Sequence, residues 1–277
     1  MLLLGQTLLY EGVIDDICTP INRKTRLNMK KNILPLFLYL ASFLVLTSFN
    51  NASEVPANGI FSEAIASDVE NAKVEMSSAA ALSAVLYEKL DLEARSLSPE
   101  VLENAITGYE KLVQNGTVQN EQYLTIVDLS QSSRSKRLYI IDVKNQRLAQ
   151  NTYVSHGKNS GLDRAERFSN RPQSEQSSLG FYVTKQTYTG KHGLSLKLAG
   201  LEKGFNDNAE ARAIVVHGAE YVNEARANSA YMGRSQGCPA VPQAQANRII
   251  SLIKGGSALF IYNPDQKYLH HSKLLNS

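Results

Sequence analysis

Tryptophan is absent from the 277 residues, and cysteine occurs only twice, as Cys18 and Cys238. The missing tryptophan excludes nothing about class, whereas two cysteines exclude a disulfide-stapled scaffold. Histidine is sparse too: His156, His192, His217, His270 and His271 show no two-histidine spacing typical of zinc, so the residue types point away from a metal centre. Charge of one sign is scarce. Arg23, Lys24, Arg26, Lys30 and Lys31 against Glu11, Asp15 and Asp16 account for +2 of the net +3, which leaves the chain after residue 49 at +1. That near-neutrality gives no support for a nucleic-acid partner. Internal repeats and low-complexity tracts are also missing. With 43% hydrophobic and 20% charged residues the composition is that of a folded globular protein, long enough for one sizeable core or a main domain with a smaller helical companion.

One long apolar run is present. Met29, Lys30 and Lys31 lead into residues 33–49, rich in Leu and Phe, the layout of a secretory signal peptide at 29–52. An uncleaved membrane anchor is the alternative, since the run is close to spanning length, and it is the only membrane association expected. Residues 1–28 are expected to be an extension or a misassigned start, and 53–76 a polar linker. Export to the periplasm or cell envelope follows. It would remove Cys18 and leave Cys238 alone, either as a buried small residue or as a reactive thiol.

Beyond the linker the periodicity predicts a small helical region at 77–118, with Ser98 as N-cap, Pro99 at the first helical position and Gly116 as stop. From residue 123 the period becomes that of strands, predicted at 123–129, 138–143, 148–154, 180–184, 194–198, 213–217 and 258–262. A polar loop is expected at 163–178, one helix at 243–254 and a polar tail at 266–277. The second half is therefore a mainly β domain, 119–265.

The chemistry concentrates in two stretches, Ile214-Val215-Val216-His217-Gly218 and Gly233-Arg234-Ser235-Gln236-Gly237-Cys238-Pro239. A thiol is a nucleophile only as thiolate, and a free cysteine has a pKa of about 8.5, so catalysis needs a base or a positive field nearby. His217, closing a buried strand, can be that base. Gly237 allows a tight turn before the nucleophile, Pro239 fixes φ after it, and the Gly237 and Cys238 amides can face a developing oxyanion. Ser235 can hold the turn, and Arg234 can bind a carboxylate. The bland alternative is a buried cysteine and a structural histidine.

The His217-Gly218 pair followed by Ser235-Gln236-Gly237-Cys238 resembles the HG…SxGC signature of the YkuD-type L,D-transpeptidase catalytic domain. Val154-Ser155-His156-Gly157 and Ser177-Ser178-Leu179-Gly180 resemble the family's earlier strand-turn segments. Phe168-Ser169-Asn170, Tyr188-Thr189-Gly190-Lys191-His192-Gly193 and Leu198-Ala199-Gly200-Leu201-Glu202 are similar to its divergent murein branch, and the resemblance spans roughly 123–262. It implies a mainly β, β-sandwich-like catalytic domain with a short helix after the nucleophile. It also implies Cys238 as nucleophile, His217 as base and then acid, Gly237, Ser235 and Gly218 shaping the turn, and substrate contacts at Arg234, Gln236, Tyr221, Ser155 and His156. The implied partners are a peptidoglycan stem-peptide donor and an amine acceptor, with no metal or organic cofactor. Two departures stand out. Gln236 occupies the position of a second histidine, and Ala240 that of an arginine two residues past the cysteine, whose charge Arg234 is expected to supply. Water as acceptor and a silent peptidoglycan-binding module are the rival readings.

Overall fold

A computed structural model describes residues 77–276, so the expected extension, signal segment and linker at 1–28, 29–52 and 53–76 lie outside the described residues. Two helices come first, α1 (Ser78–Lys89) and α2 (Pro99–Gln114). Ser77 Oγ accepts from Ala80 N–H at 3.1 Å and Ser98 Oγ from Val101 N–H at 3.3 Å, so each helix starts on a serine cap. Gly116, at φ +73°, supplies the left-handed turn that ends the second. Leu86, Leu102, Ala105 and Ile106 are fully buried in the same core as Phe181 and Phe260 of the sheet. Each such side chain contributes roughly 1.5–3 kcal/mol by leaving water. The helical region is thus docked on the sheet. Gly108 makes the contact close, because a Cβ there would stand 2.0 Å from Phe181 Cζ.

The strands are β1 (Tyr123–Asp128), β2 (Leu138–Asp142), β3 (Arg147–Thr152), β4 (Gly180–Gly190), β5 (Gly193–Gly200), β6 (Val215–Ala219), β7 (Ala240–Pro242) and β8 (Ala258–Tyr262), with α3 (Gln243–Ile253) between the last two. They form one mixed eight-stranded sheet in the order β3-β2-β1-β8-β4-β5-β6-β7, in which β1 with β8 and β6 with β7 run parallel and the remaining pairs antiparallel. The mainly β class is as expected. What is sandwich-like about it is one sheet whose ends approach each other: just past β3, Ser155 N–H donates to Ala240 O at 2.8 Å, and Ser235 N–H donates to His156 O at 2.9 Å. Edge backbone is thereby paired.

Three differences from the sequence expectation have clear causes. β4 continues to Gly190 because its second half, from Lys185 on, projects beyond the core with exposed polar side chains and shows no apolar alternation. β7 is three residues long and ends at a proline, too short to leave a period. The polar tail is a correction: it folds as α4 (Gln266–His271) and α5 (Lys273–Asn276), with Tyr268 and Ser272 buried. The partner that draws it in is Glu202. Its carboxylate accepts from Phe181 N–H at 2.7 Å, from the Tyr268 hydroxyl at 2.9 Å and from Ser272 Oγ. Burial pushes the Glu202 carboxyl upward, opposed by those three donors.

Candidate active site

β6 and β7 carry the site. They pair in parallel with His217 opposite Ala240, which puts Cys238 two residues ahead of the histidine's partner at the mouth of the strand pair. The predicted strand run Val215-Val216-His217 is buried, and His217 itself is 5% exposed. Its Nδ1 lies 2.8 Å from Gly218 O, a carbonyl that can only accept, so Nδ1 carries the proton and Nε2 is left as a lone-pair base. Burial lowers the His217 pKa below its ordinary value, Lys191 and His192 add to the fall, and the Gly218 carbonyl opposes it. At neutral pH the imidazole is therefore uncharged. Gly218 also permits a close approach of α3 to the strand, since a Cβ on it would meet Gln243 Oε1 at 2.5 Å and Ala246 Cβ at 3.0 Å.

The turn before Cys238 is built from Ser235. Its Oγ accepts from Gly237 N–H at 3.1 Å and donates to Cys238 O at 2.6 Å, a local knot that a serine makes readily. Gly237 sits at φ +122°, and a Cβ there would be 2.8 Å from Gln176 O, so both conformation and space require glycine. Of the two amides proposed for an oxyanion, that of Gly237 is occupied by Ser235, while the Cys238 N–H has no hydrogen-bond partner among the described residues. Cys238 Sγ rests 3.7 Å from Ala213 O. Burial pushes the thiol up; the Val215 N–H and the Arg212 guanidinium pull it down. No hydrogen bond joins Cys238 to His217 among the described residues. In the resting site the thiol and the imidazole are both neutral.

A cavity of about 470 Å³ opens on the cysteine, lined by Pro172, Gln173, Glu175, Arg212, Gln236 and Cys238. Gln236 is exposed on its rim. A larger cavity, about 1010 Å³, shares Pro172 and Gln173 with the first, but Cys238 is not among its lining residues. Tyr221 stands near Ser155 and Cys238; burial raises its phenol pKa, and a thiolate at Cys238 would raise it further.

Two expected substrate contacts are corrected. His156 is fully buried: Arg137 Nη2 donates to its Nδ1 at 2.7 Å, so Nε2 carries the proton and faces Gly161 O at 3.3 Å. Both nitrogens are used within the scaffold, and burial, reinforced by Arg137, lowers its pKa to about 4. Arg234 does not line the cavity at the thiol; its Nη1 donates to Lys158 O at 2.9 Å and Gly161 O at 3.2 Å and its guanidinium is 4.8 Å from the Tyr231 ring centroid. Ser155 is buried beneath Tyr221.

Two residues escaped the reading of the chain's chemistry. Arg212 occupies the cationic position beside the cysteine that Arg234 was expected to fill, and His192 stacks on His217 with ring centroids 4.4 Å apart. The hairpin sequence around His192 was visible as a motif, yet only the β4–β5 pairing shows what it covers.

Residues 93–262 match the L,D-transpeptidase catalytic domain family. Similar solved structures include an L,D-transpeptidase from Mycobacterium smegmatis, 11% identical over 51% of this chain and 59% of that one with a TM-score of 0.33. Another is an L,D-transpeptidase from Xylanimonas cellulosilytica, 16% identical over 55% of this chain and 68% of that one with a TM-score of 0.30. The chain thus spans 59% of the length of the Mycobacterium smegmatis protein. No relative among the curated proteins matches. The matched stretch holds His217, Cys238 and all eight strands of the sheet, and the chain belongs to the L,D-transpeptidase catalytic domain family.

Proposed function

We propose that this chain is an exported, cysteine-dependent peptidoglycan L,D-transpeptidase that works through an acyl-thioester. The observation that carries the reading is the register of β6 against β7, which sets a neutral, tautomer-fixed imidazole next to the strand led by the chain's one thiol beyond residue 76. In the first half-reaction Sγ passes its proton to His217 Nε2 and attacks the carbonyl of the L,D peptide bond in a stem peptide. The oxyanion that forms is stabilised by the unoccupied Cys238 N–H. The C–N bond then breaks, the leaving amine takes the proton from the imidazolium, and the donor is held as a thioester. In the second half-reaction an acceptor amine attacks, His217 takes its proton, the C–S bond breaks and the thiol is restored.

The basic residues and apolar run at 29–52 are the support for export to the periplasm or cell envelope, where this substrate lies. The cavity at the thiol has Gln236 and Gln173 on its walls beside Arg212 and Glu175, a polar lining suited to a peptide backbone. Incubation with tetrapeptide muropeptides tests the reading by its products. Cross-linked dimers mean transfer to an amine; tripeptides alone mean that water is the acceptor; binding to sacculi with neither product means a silent module.

A further inference from the structure

We propose that Arg212 is a positioning residue with two duties: its charge holds Cys238 in reach of the thiolate state, and its fork fixes the 169–178 loop that walls the site. The proposal rests on the reading of Cys238 as nucleophile. The sequence sets Arg212 three residues before the start of β6, and Ala213, at φ +54°, turns the chain there. The guanidinium then spans the loop. Nη1 donates to Ser169 O at 2.7 Å and to Ser178 Oγ, and Nη2 donates to Gln176 O at 2.7 Å and Ser174 Oγ at 3.2 Å. Four bonds from one rigid fork to a loop with neither strand nor helix are a strong constraint on its position.

Every one of those acceptors is neutral. The three ion pairs among the described residues are Arg134–Asp163, Arg147–Asp142 and Lys158–Glu175, so the half-buried Arg212 has no carboxylate of its own. Glu175, the acid lining the same cavity, is taken by Lys158 at 2.6 Å. The Arg212 charge is therefore directed at whatever anion forms in the cavity it shares with Cys238. A Cβ built on Gly237, the residue before the nucleophile, would stand 3.3 Å from Arg212 Nη2. The Tyr221 phenol, whose pKa is raised, interacts with the thiol, and His217 on β6 is neutral, so neither supplies positive charge in the resting site. The thiolate is favoured by Arg212 together with the Val215 N–H.

The test is the pH dependence of iodoacetamide alkylation at Cys238 in the full chain, for wild type, Arg212→Gln and Arg212→Lys, with thermal melting to establish that each is folded. Arg212→Gln is expected to move the thiol titration up by about one pH unit, which lowers the alkylation rate about tenfold below the wild-type pKa. Arg212→Lys keeps the charge and loses the fork. Its alkylation profile is expected to stay within a few tenths of a unit of wild type, while KM for the muropeptide donor rises because the loop is no longer fixed. A folded Arg212→Gln with a superimposable profile overturns the proposal. Should Arg212→Gln not fold, Arg212→Lys decides: a shift of a full unit with the charge retained overturns it. The alkylation readout is independent of turnover. A wild type that makes no muropeptide product while Arg212→Gln shifts the titration would count against the proposed function and leave the role of Arg212 standing.

Discussion

His192, at the tip of the β4–β5 hairpin, lies nearly face to face with His217, the rings 4.4 Å apart and inclined by 29°. Gly193, at φ +76°, completes the tight return of the hairpin that brings it there. The stack shields the imidazole from water on one face, and the neighbouring Lys191 adds positive charge. Both disfavour the imidazolium.

Replacing His192 with alanine removes the stacked ring and lets water in, so the His217 pKa should rise. A base with a raised pKa is lost at higher pH, and the acid limb of kcat/KM should shift upward by a few tenths to one pH unit. His192→Phe keeps the flat cover and should shift less. An acid limb that stays put or moves down in His192→Ala contradicts this role for the stack.

In the proposed mechanism a carbapenem presents a strained carbonyl to Cys238 in place of the stem-peptide bond. Wild-type protein should gain one carbapenem mass, mapped to the peptide that contains Cys238, and Cys238→Ala should gain none. Intact-mass spectra without an adduct on the folded wild type would count against the thiol as nucleophile.

His156 predicts how stability responds to acid. Its pKa is about 4 in the folded chain and would be near 6.5 unfolded, so between those values the unfolded state binds the extra proton. Stability contributed by the neutral imidazole is fully present above pH 7, is lost progressively on acidification, and is used up below pH 4. A shift of this size corresponds to roughly 3 kcal/mol. His156→Gln should lower Tm at pH 7 and flatten the fall in Tm between pH 7 and 4; an unchanged slope would show that other groups govern it.

Gly108 tests the docking of the N-terminal helices. A Cβ 2.0 Å from Phe181 forces the α2 helix off the sheet or the ring out of its stack with Phe260, whose centroid is 4.2 Å away. Gly108→Ala should cost about 1–3 kcal/mol despite alanine's better helix propensity. At roughly 2–4 °C per kcal/mol the drop in Tm is measurable by calorimetry, and a stabilised variant would mean that the helix is not seated on the ring.

Much of this was legible in the chain. Val215-Val216-His217 reads as a buried strand because its β-branched residues are buried, and Ser98-Pro99 reads as a helix start because the cap and the proline act locally. Gly237 could be picked out because a turn ahead of a nucleophile needs a residue free in φ, and it does sit at φ +122°. What could not be read depends on contacts distant in sequence. Arg212 and Arg234 are equivalent as letters; only the chain path turns one toward the cysteine cavity and the other toward Lys158 O. His156 was implied as a substrate contact by the resemblance of Val154-Ser155-His156-Gly157, yet Arg137, nineteen residues away, takes its Nδ1. The C-terminal helices were hidden by polar composition, since the group that binds them, Glu202, lies on another segment.

The central claim is that Cys238 forms the acyl-enzyme. Its most direct test is muropeptide analysis after incubation of wild type and Cys238→Ala, in parallel, with a tetrapeptide donor and an amine acceptor. The account predicts cross-linked product with wild type and none with the alanine variant at an unchanged Tm. Equal product from both would contradict it.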